Sequence, residues 1–383
     1  MSRPPVTVVP VDDPAWDEWL ARTSHDVYHR AGYHTFATES DGGDALLVVV
    51  GNQDKGLAWP YILRSVPGSG LRDVTSVYGY PGPVAWGVDH DPAFIERAWA
   101  CMTATWREQG AVTAFTRFHP LLGNADLLTP VATPPRPGDQ PTVVFEGHTV
   151  AIDCSQDDAR ARAGYRKALR QEIAASRRAG LKTEHDTSWT HLPDFVRLYG
   201  ATMDRVQADS SYYVTAEQVQ RLRDLLDGDL HLLVTRLGNA VAAVGLFTRL
   251  GAIAQAHLVG TDETLPVRSP LKVLLDDARH WARAQGCSVL HLGGGRGARE
   301  DSLFAFKKRF SPLRYPFHTG RWVLDQDAYR ILVADQSGTG PAAGSDFFPA
   351  YRSPPRPVSR AGQTPGATPV PRNSYPVDDP DWL

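Results

Sequence analysis

The chain has 383 residues, enough for two ordinary domains that each bury a core. Hydrophobic residues make up 42% and charged residues 22%, a globular composition that excludes wholesale disorder. At a net charge of -3 the chain lacks the basic excess of a general nucleic-acid binder, so any RNA contact must come from a local patch. The N-terminal "MSRPPVTVVPVDDPAWDEWL" has no apolar signal-peptide core, and no apolar run approaches the length of a membrane span. The expectation is a cytoplasmic protein without membrane insertion. Cys101, Cys154 and Cys287 are too few and too scattered for a disulfide framework or a zinc site.

"ALLVVVG", the polar turn "NQDKG" and "LAWPYILRSV" predict a β-hairpin. Ala93 to Gly110 has apolar residues at helical spacing and ends on a C-cap glycine. The strand "VTAFTRFHP" follows, then the Pro-rich "TPVATPPRPGDQP" and the strand "TVVFEGHTVAID". Gln156 to Lys182 predicts one helix, with Ser155 as N-cap, acids in its first turn and Arg177, Arg178 and Gly180 at its end. The helix "LPDFVRLYGATMDRV" precedes another, opening on Thr215 as N-cap with Gln218 at the capping-box position. A three-strand meander comes next, from "LHLLVTRL" to "AIAQAHLVG". A helix begins at Ser269 and Pro270, and a further strand, "SVLHLGGG", leads to the helix "DSLFAFKKRF", with Asp301 as its N-cap. A closing hairpin is expected from "RYPFHTG" and "RWVLD". "FFPAYR" is the last packed element, and from Ser353 a Pro/Gly-rich tail reads as disordered.

Several motifs stand out: "YGYPGP" (Tyr78 to Pro83), "RFHPLLGN" (Arg117 to Asn124), the "RKALRQEIAASRRAGL" helix, "YGATMDR" (Tyr199 to Arg205) and "LHLGGG....DSLFAFK..FSP". With this element order they resemble the GNAT acyltransferase fold and, more closely, the Fem-type (FemABX-like) aminoacyltransferases. The resemblance covers roughly residues 25 to 325. It implies an α/β (α+β) fold: two tandem GNAT-like domains with mixed, largely antiparallel sheets. Their expected extents are residues 1–155 and 183–352, with a junction helix at 156–182 and the tail at 353–383. It also implies acyl transfer to an amine, from aminoacyl-tRNA to a peptidoglycan precursor or a small metabolite. No metal and no cofactor beyond that co-substrate is expected, and no DNA partner. Some cell-wall members carry a long helical hairpin that no segment here can supply. Together with high Arg, Ala, Gly and Pro usage, this favours specialised, antibiotic-type metabolism. The rivals are an acyl-CoA-dependent N-acyltransferase, a peptidoglycan bridge-forming enzyme and a degenerate binding module.

In ordinary GNAT enzymes the loop before the crossover helix is glycine-rich, and its backbone N–H groups wrap the coenzyme A pyrophosphate. Here that loop is "TLPVRSPLK", glycine-free, with Pro266 and Pro270 each lacking an N–H. This favours aminoacyl-tRNA as donor. Gly293 to Gly295 follow the next strand instead, as a close backbone approach at a cleft edge or simply a turn, and the P-loop pattern is absent. Phe306-Lys307 matches a Phe-Lys pair of the resembling family, which implies that Lys307 stabilises the oxyanion of ester aminolysis. Spacing alone favours reading Lys307 as a solvated helix lysine. Arg296 and Arg299 are candidates for phosphate, Arg205 for an acceptor carboxylate or phosphate, and Tyr78, Tyr80, Tyr212 and Tyr213 for an acceptor pocket or for core. Arg162, Arg166, Arg170 and Arg177 fall on one helical stripe, either a seat for tRNA phosphates or an ordinary charged face. The histidines show no metal spacing, and His291 is a weak candidate base.

Overall fold

A computed structural model describes residues 3–88, 91–131, 142–336 and 347–353. The expected tail after Ser353 and most of the Pro-rich loop lie outside the described residues. The chain folds as two units. Glu146–Pro316 forms one, and the described residues before and after it form the other.

The outer unit contains β1 (Val6–Pro10), α1 (Ala15–Leu20), α2 (Ala31–Asp41), β2 (Asp44–Gly51), β3 (Gly56–Ser65) and β4 (Arg72–Thr75). It continues with β5 (Val84–Trp86), α3 (Pro92–Glu108) and β6 (Ala111–Arg117). The chain leaves along β7 (Val143–Asp153) and returns along β13 (Arg314–Val323), followed by α10 (Gln326–Gln336). The strand order is β1-β2-β3-β4-β6-β13, with β5 also on β3, and the only parallel pair among these described strands is β4 with β6, joined through α3. Trp59, Trp106, Phe118 and Trp322 fill its core.

The inner unit continues from β7 with α4 (Asp158–Ala163), α5 (Lys167–Arg178), β8 (Leu181–His185), α6 (Leu192–Arg205) and α7 (Ala216–Leu226). Then come β9 (Leu230–Leu237), β10 (Ala240–Leu250), β11 (Ile253–Thr261), α8 (Pro270–Ala284), β12 (Val289–Gly293) and α9 (Ser302–Lys307). Its order is β7-β12-β11-β10-β9-β8, and here β11 and β12, joined through α8, form the parallel pair. Both units therefore repeat one device, a crossover helix between two parallel strands in an otherwise antiparallel sheet.

Two expected elements differ. The helix over 156–182 is two helices, because Gly164, Tyr165 and Arg166 separate α4 from α5, and Asp157 rather than Ser155 accepts the first capping bond, from the Arg160 amide. The closing hairpin is the single strand β13. Gly320 is no turn: a Cβ there would lie 2.1 Å from the Trp322 ring, so the glycine makes room for that indole within the strand.

Candidate active site

β11 and β12 pair only from Ile253 to Gln255 and from Val289 to His291. β11 then runs on to Thr261, while Gly293 of β12 pairs with Val150 of β7. The strands part, and a cavity of about 110 Å³ lies at the divergence. Leu271 and Leu275 of α8, Leu292 of β12, and Leu303 and Phe306 of α9 make its wall largely apolar. Tyr199 and Thr202 of α6 and His257 of β11 bring polar atoms, and Arg296 and Lys307 bring charge.

The loop after β12 holds these charges in place. Gly293 takes φ +77°, a left-handed conformation that costs glycine little. A Cβ on Gly295 would lie 2.0 Å from the Arg299 carbonyl oxygen, so only glycine fits this tight turn. The turn points Arg296 back at Asp301, whose Oδ2 accepts from the Arg296 amide (3.0 Å) and from its Nε (2.8 Å). The other oxygen of Asp301 caps α9 through the Phe304 amide at 2.9 Å. Burial raises the Asp301 carboxyl, but these amides and the guanidinium outweigh it and hold the group below its usual range. α9 buries Phe304 and Phe306 against the core and ends on Lys307. Nζ of Lys307 donates to the Gly294 carbonyl at 2.7 Å. The residue is only part-buried, yet its ammonium is enclosed: desolvation lowers its pKa to about 8, against an opposing pull from Asp301.

The start of α8, where a GNAT coenzyme's pyrophosphate is expected, is covered by α5. Ser269 is left-handed (φ +61°) and its side chain does not cap the helix. Ser176 of α5 donates to the Arg268 carbonyl (2.8 Å), and Glu172 accepts from Lys272 (2.7 Å) and Arg309 (2.8 Å). A carboxylate already meets the cations at this helix end.

Of the sequence candidates, Lys307, Phe306 and Arg296 share the cavity. Arg299 is exposed on the loop beside it. α6 reaches the cavity through Tyr199, Thr202 and Met203, while Arg205, nearly a turn on, pairs with Glu263 at 2.9 Å. The Tyr213 hydroxyl donates to Asp204 at 2.6 Å, and Tyr212 sits half-buried in the same turn. Tyr78 and Tyr80 belong to the outer unit, Tyr78 exposed and Tyr80 edge-on to Tyr28, His119 and Phe317.

The basic stripe is not one surface. With the helix broken at Gly164, Arg162 and Arg177 both turn onto the buried carboxylate of Asp276 (2.8 Å each), which also accepts from the Tyr165 hydroxyl at 3.0 Å. Arg170 donates to the Arg162 and Ala163 carbonyls that end α4, and Arg166 is exposed. Sequence reasoning missed Thr202, Leu271 and Leu275. Leu271 and Leu275 are signalled by their i, i+4 spacing on an apolar helix face, but only the splayed strands show what they face.

Residues 161–308 match the family model described as "Acetyltransferase (GNAT) domain". Among solved structures, the crystal structure of FemX is similar at TM-score 0.64 and 12% identity, over 85% of this chain and 99% of that one. The C-terminal domain (DUF2156) of a protein assigned as a lysylphosphatidylglycerol synthetase, from Agrobacterium fabrum, is similar at TM-score 0.51 and 15% identity, over 84% of this chain and 94% of that one. A conserved protein of unknown function from Bacteroides thetaiotaomicron gives TM-score 0.51 at 9% identity, over 83% of this chain and 99% of that one. No curated protein sequence matches. The fold is thus the α/β, tandem GNAT-like one expected from the sequence, and residues 161–308 carry an acyltransferase domain of GNAT type.

Proposed function

We propose that the protein transfers an aminoacyl group from aminoacyl-tRNA to the amine of a small molecule or peptide, forming an amide. The observation that carries this reading is the enclosed Lys307 ammonium at the wall of an apolar cavity where the parallel strands part. The acceptor amine attacks the ester carbonyl, a C–N bond forms, the C–O bond to the terminal ribose breaks, and the amine's proton leaves to water or to the departing oxygen. Negative charge gathers on the carbonyl oxygen. An ammonium bonded to Gly294 keeps further N–H groups for that oxygen. An ester is already activated, so no covalent nucleophile is needed.

The start of α8 supports this reading of the donor. Its glycine-free approach and the Glu172 carboxylate at its first turn disfavour a diphosphate there, which argues against acyl-CoA. FemX and the lysylphosphatidylglycerol synthetase domain share the fold, and the aminoacyl group in the second name supports aminoacyl transfer.

The test charges total tRNA with radiolabelled amino acids, adds the protein and an extract of its source, and follows label into RNase-resistant product. Label should move only from intact charged tRNA, and Lys307→Met should lose about 10²–10³-fold in kcat/KM, the loss typical of a missing oxyanion donor. Transfer from acyl-CoA in a parallel tube, with none from tRNA, would return the coenzyme reading. Normal turnover by Lys307→Met would remove the mechanism.

A further inference from the structure

We infer that the acyl group received in this cavity carries an uncharged aliphatic side chain, between alanine and leucine in size, with Leu275, Leu271 and Ala256 setting the limit. This rests on the aminoacyl-transfer reading and adds the class of amino acid to it.

Three features of the cavity lead there. Its volume of about 110 Å³ is smaller than the roughly 150 Å³ of an engineered apolar cavity that takes benzene. An isopropyl or isobutyl group fills it, whereas an aromatic ring overfills it. Its wall is set by Leu271 and Leu275, one turn apart on α8, with Leu292 and Leu303. Such a surface rewards apolar contact, and a polar chain laid along the leucines would leave its polar atoms unpaired there. Ala256, partly buried on β11, also lines the cavity, and its small side chain leaves room for branching.

Charge excludes the alternatives. The charged residues lining the cavity are Arg296 and Lys307, and among the described residues no carboxylate lines it. A lysyl or arginyl chain would be a further cation with no acid to meet it, a costly burial. An aspartyl chain would have to compete for Arg296 with Asp301, which already holds that guanidinium at 2.8 Å. Lys307 is committed to Gly294 and, on the proposed chemistry, to the reacting carbonyl rather than to the side chain.

The inference can be tested without knowing the acceptor. Full-length tRNAs ending in a stable 3′-amide-linked alanyl, valyl, leucyl, phenylalanyl, lysyl or aspartyl group would be titrated against the whole protein, with uncharged tRNA as reference. Alanyl, valyl and leucyl conjugates should bind at least 10-fold tighter than the uncharged, lysyl and aspartyl ones. Leu275→Ala should shift the phenylalanyl-to-valyl preference at least 10-fold towards phenylalanyl. Ala256→Val should shift the valyl-to-alanyl preference towards alanyl, which keeps the idea open to refutation if Leu275→Ala does not fold. Tightest binding by the lysyl or aspartyl conjugate would overturn the inference and leave tRNA as donor. Equal binding by every conjugate and by uncharged tRNA would remove the donor reading, and the inference with it.

Discussion

Lys307, to which the proposed chemistry is assigned, also bears on folding energetics. A lysine in water titrates near 10.5, and desolvation here brings it to about 8. Below pH 8 the group is charged in both the folded and the unfolded chain, and its burial works against folding. Between pH 8 and 10.5 the folded protein has released the proton while the unfolded chain still holds it. The unfolded state then binds more protons, so stability rises with pH across that window. The gain should be about 1–3 kcal/mol, discounted because the side chain is only part-buried. Buried Tyr28 and Tyr33, whose pKa values burial raises, act oppositely above pH 10. The comparison is therefore the urea midpoint of wild type against Lys307→Met at pH 7.5 and 9.5. Equal pH responses would show that the ammonium is solvated after all.

At the scale of elements, the two N-terminal motifs turn out to be halves of one clasp. Asn124, from "RFHPLLGN", donates to the carbonyls of Pro81 (3.0 Å) and Pro83 (2.9 Å) in "YGYPGP" and accepts from the His119 amide at 2.6 Å. Gly82 must be glycine, since a Cβ would sit 2.4 Å from the Asn124 amide nitrogen. His119 is fixed too: its Nδ1 accepts from the Leu121 and Leu122 amides, so Nε2 carries the proton towards Asp26 at 2.8 Å. Asn124→Ala would leave two buried carbonyls and a buried amide unsatisfied, and should cost about 2–4 kcal/mol in chemical denaturation. A loss below about 0.5 kcal/mol would mean that water replaces the side chain. What was legible in the sequence at this scale was local. The Thr215–Gln218 capping box, the Asp301 cap and the glycine after α3 each depend on neighbours in the chain. The break at Gly164 was not legible, because Arg162 and Arg177 are drawn to Asp276, about 100 residues away, and the helical period alone continues through it. Gly320 misled for the same reason: the Trp322 ring that requires it looks, in one dimension, like the far side of a turn. Lys307 was reachable by resemblance only, since its enclosure depends on a carbonyl from the loop after β12.

At the scale of the whole molecule, Glu146–Pro316 is one continuous stretch, whereas the outer unit is assembled from both sides of it. β13 completes the outer sheet by pairing Thr319–Val323 with Thr113–Arg117. Behind it, Tyr351 bonds Thr113 (2.8 Å) and Arg352 pairs with the buried Asp73. A fragment of residues 142–316 should therefore fold alone with cooperative thermal unfolding, and residues 1–145 should not. A cooperative transition in the N-terminal fragment would show that β13 is dispensable. The same connectivity sets a schedule on the ribosome. The first 145 residues emerge with a sheet edge that has no strand to close it, and they wait through some 170 further residues. At about 5–20 residues per second that wait is on the order of ten seconds or more. The later-made inner unit is thus the first to be complete, and the nascent β6 edge is the place where a holding chaperone would find its client.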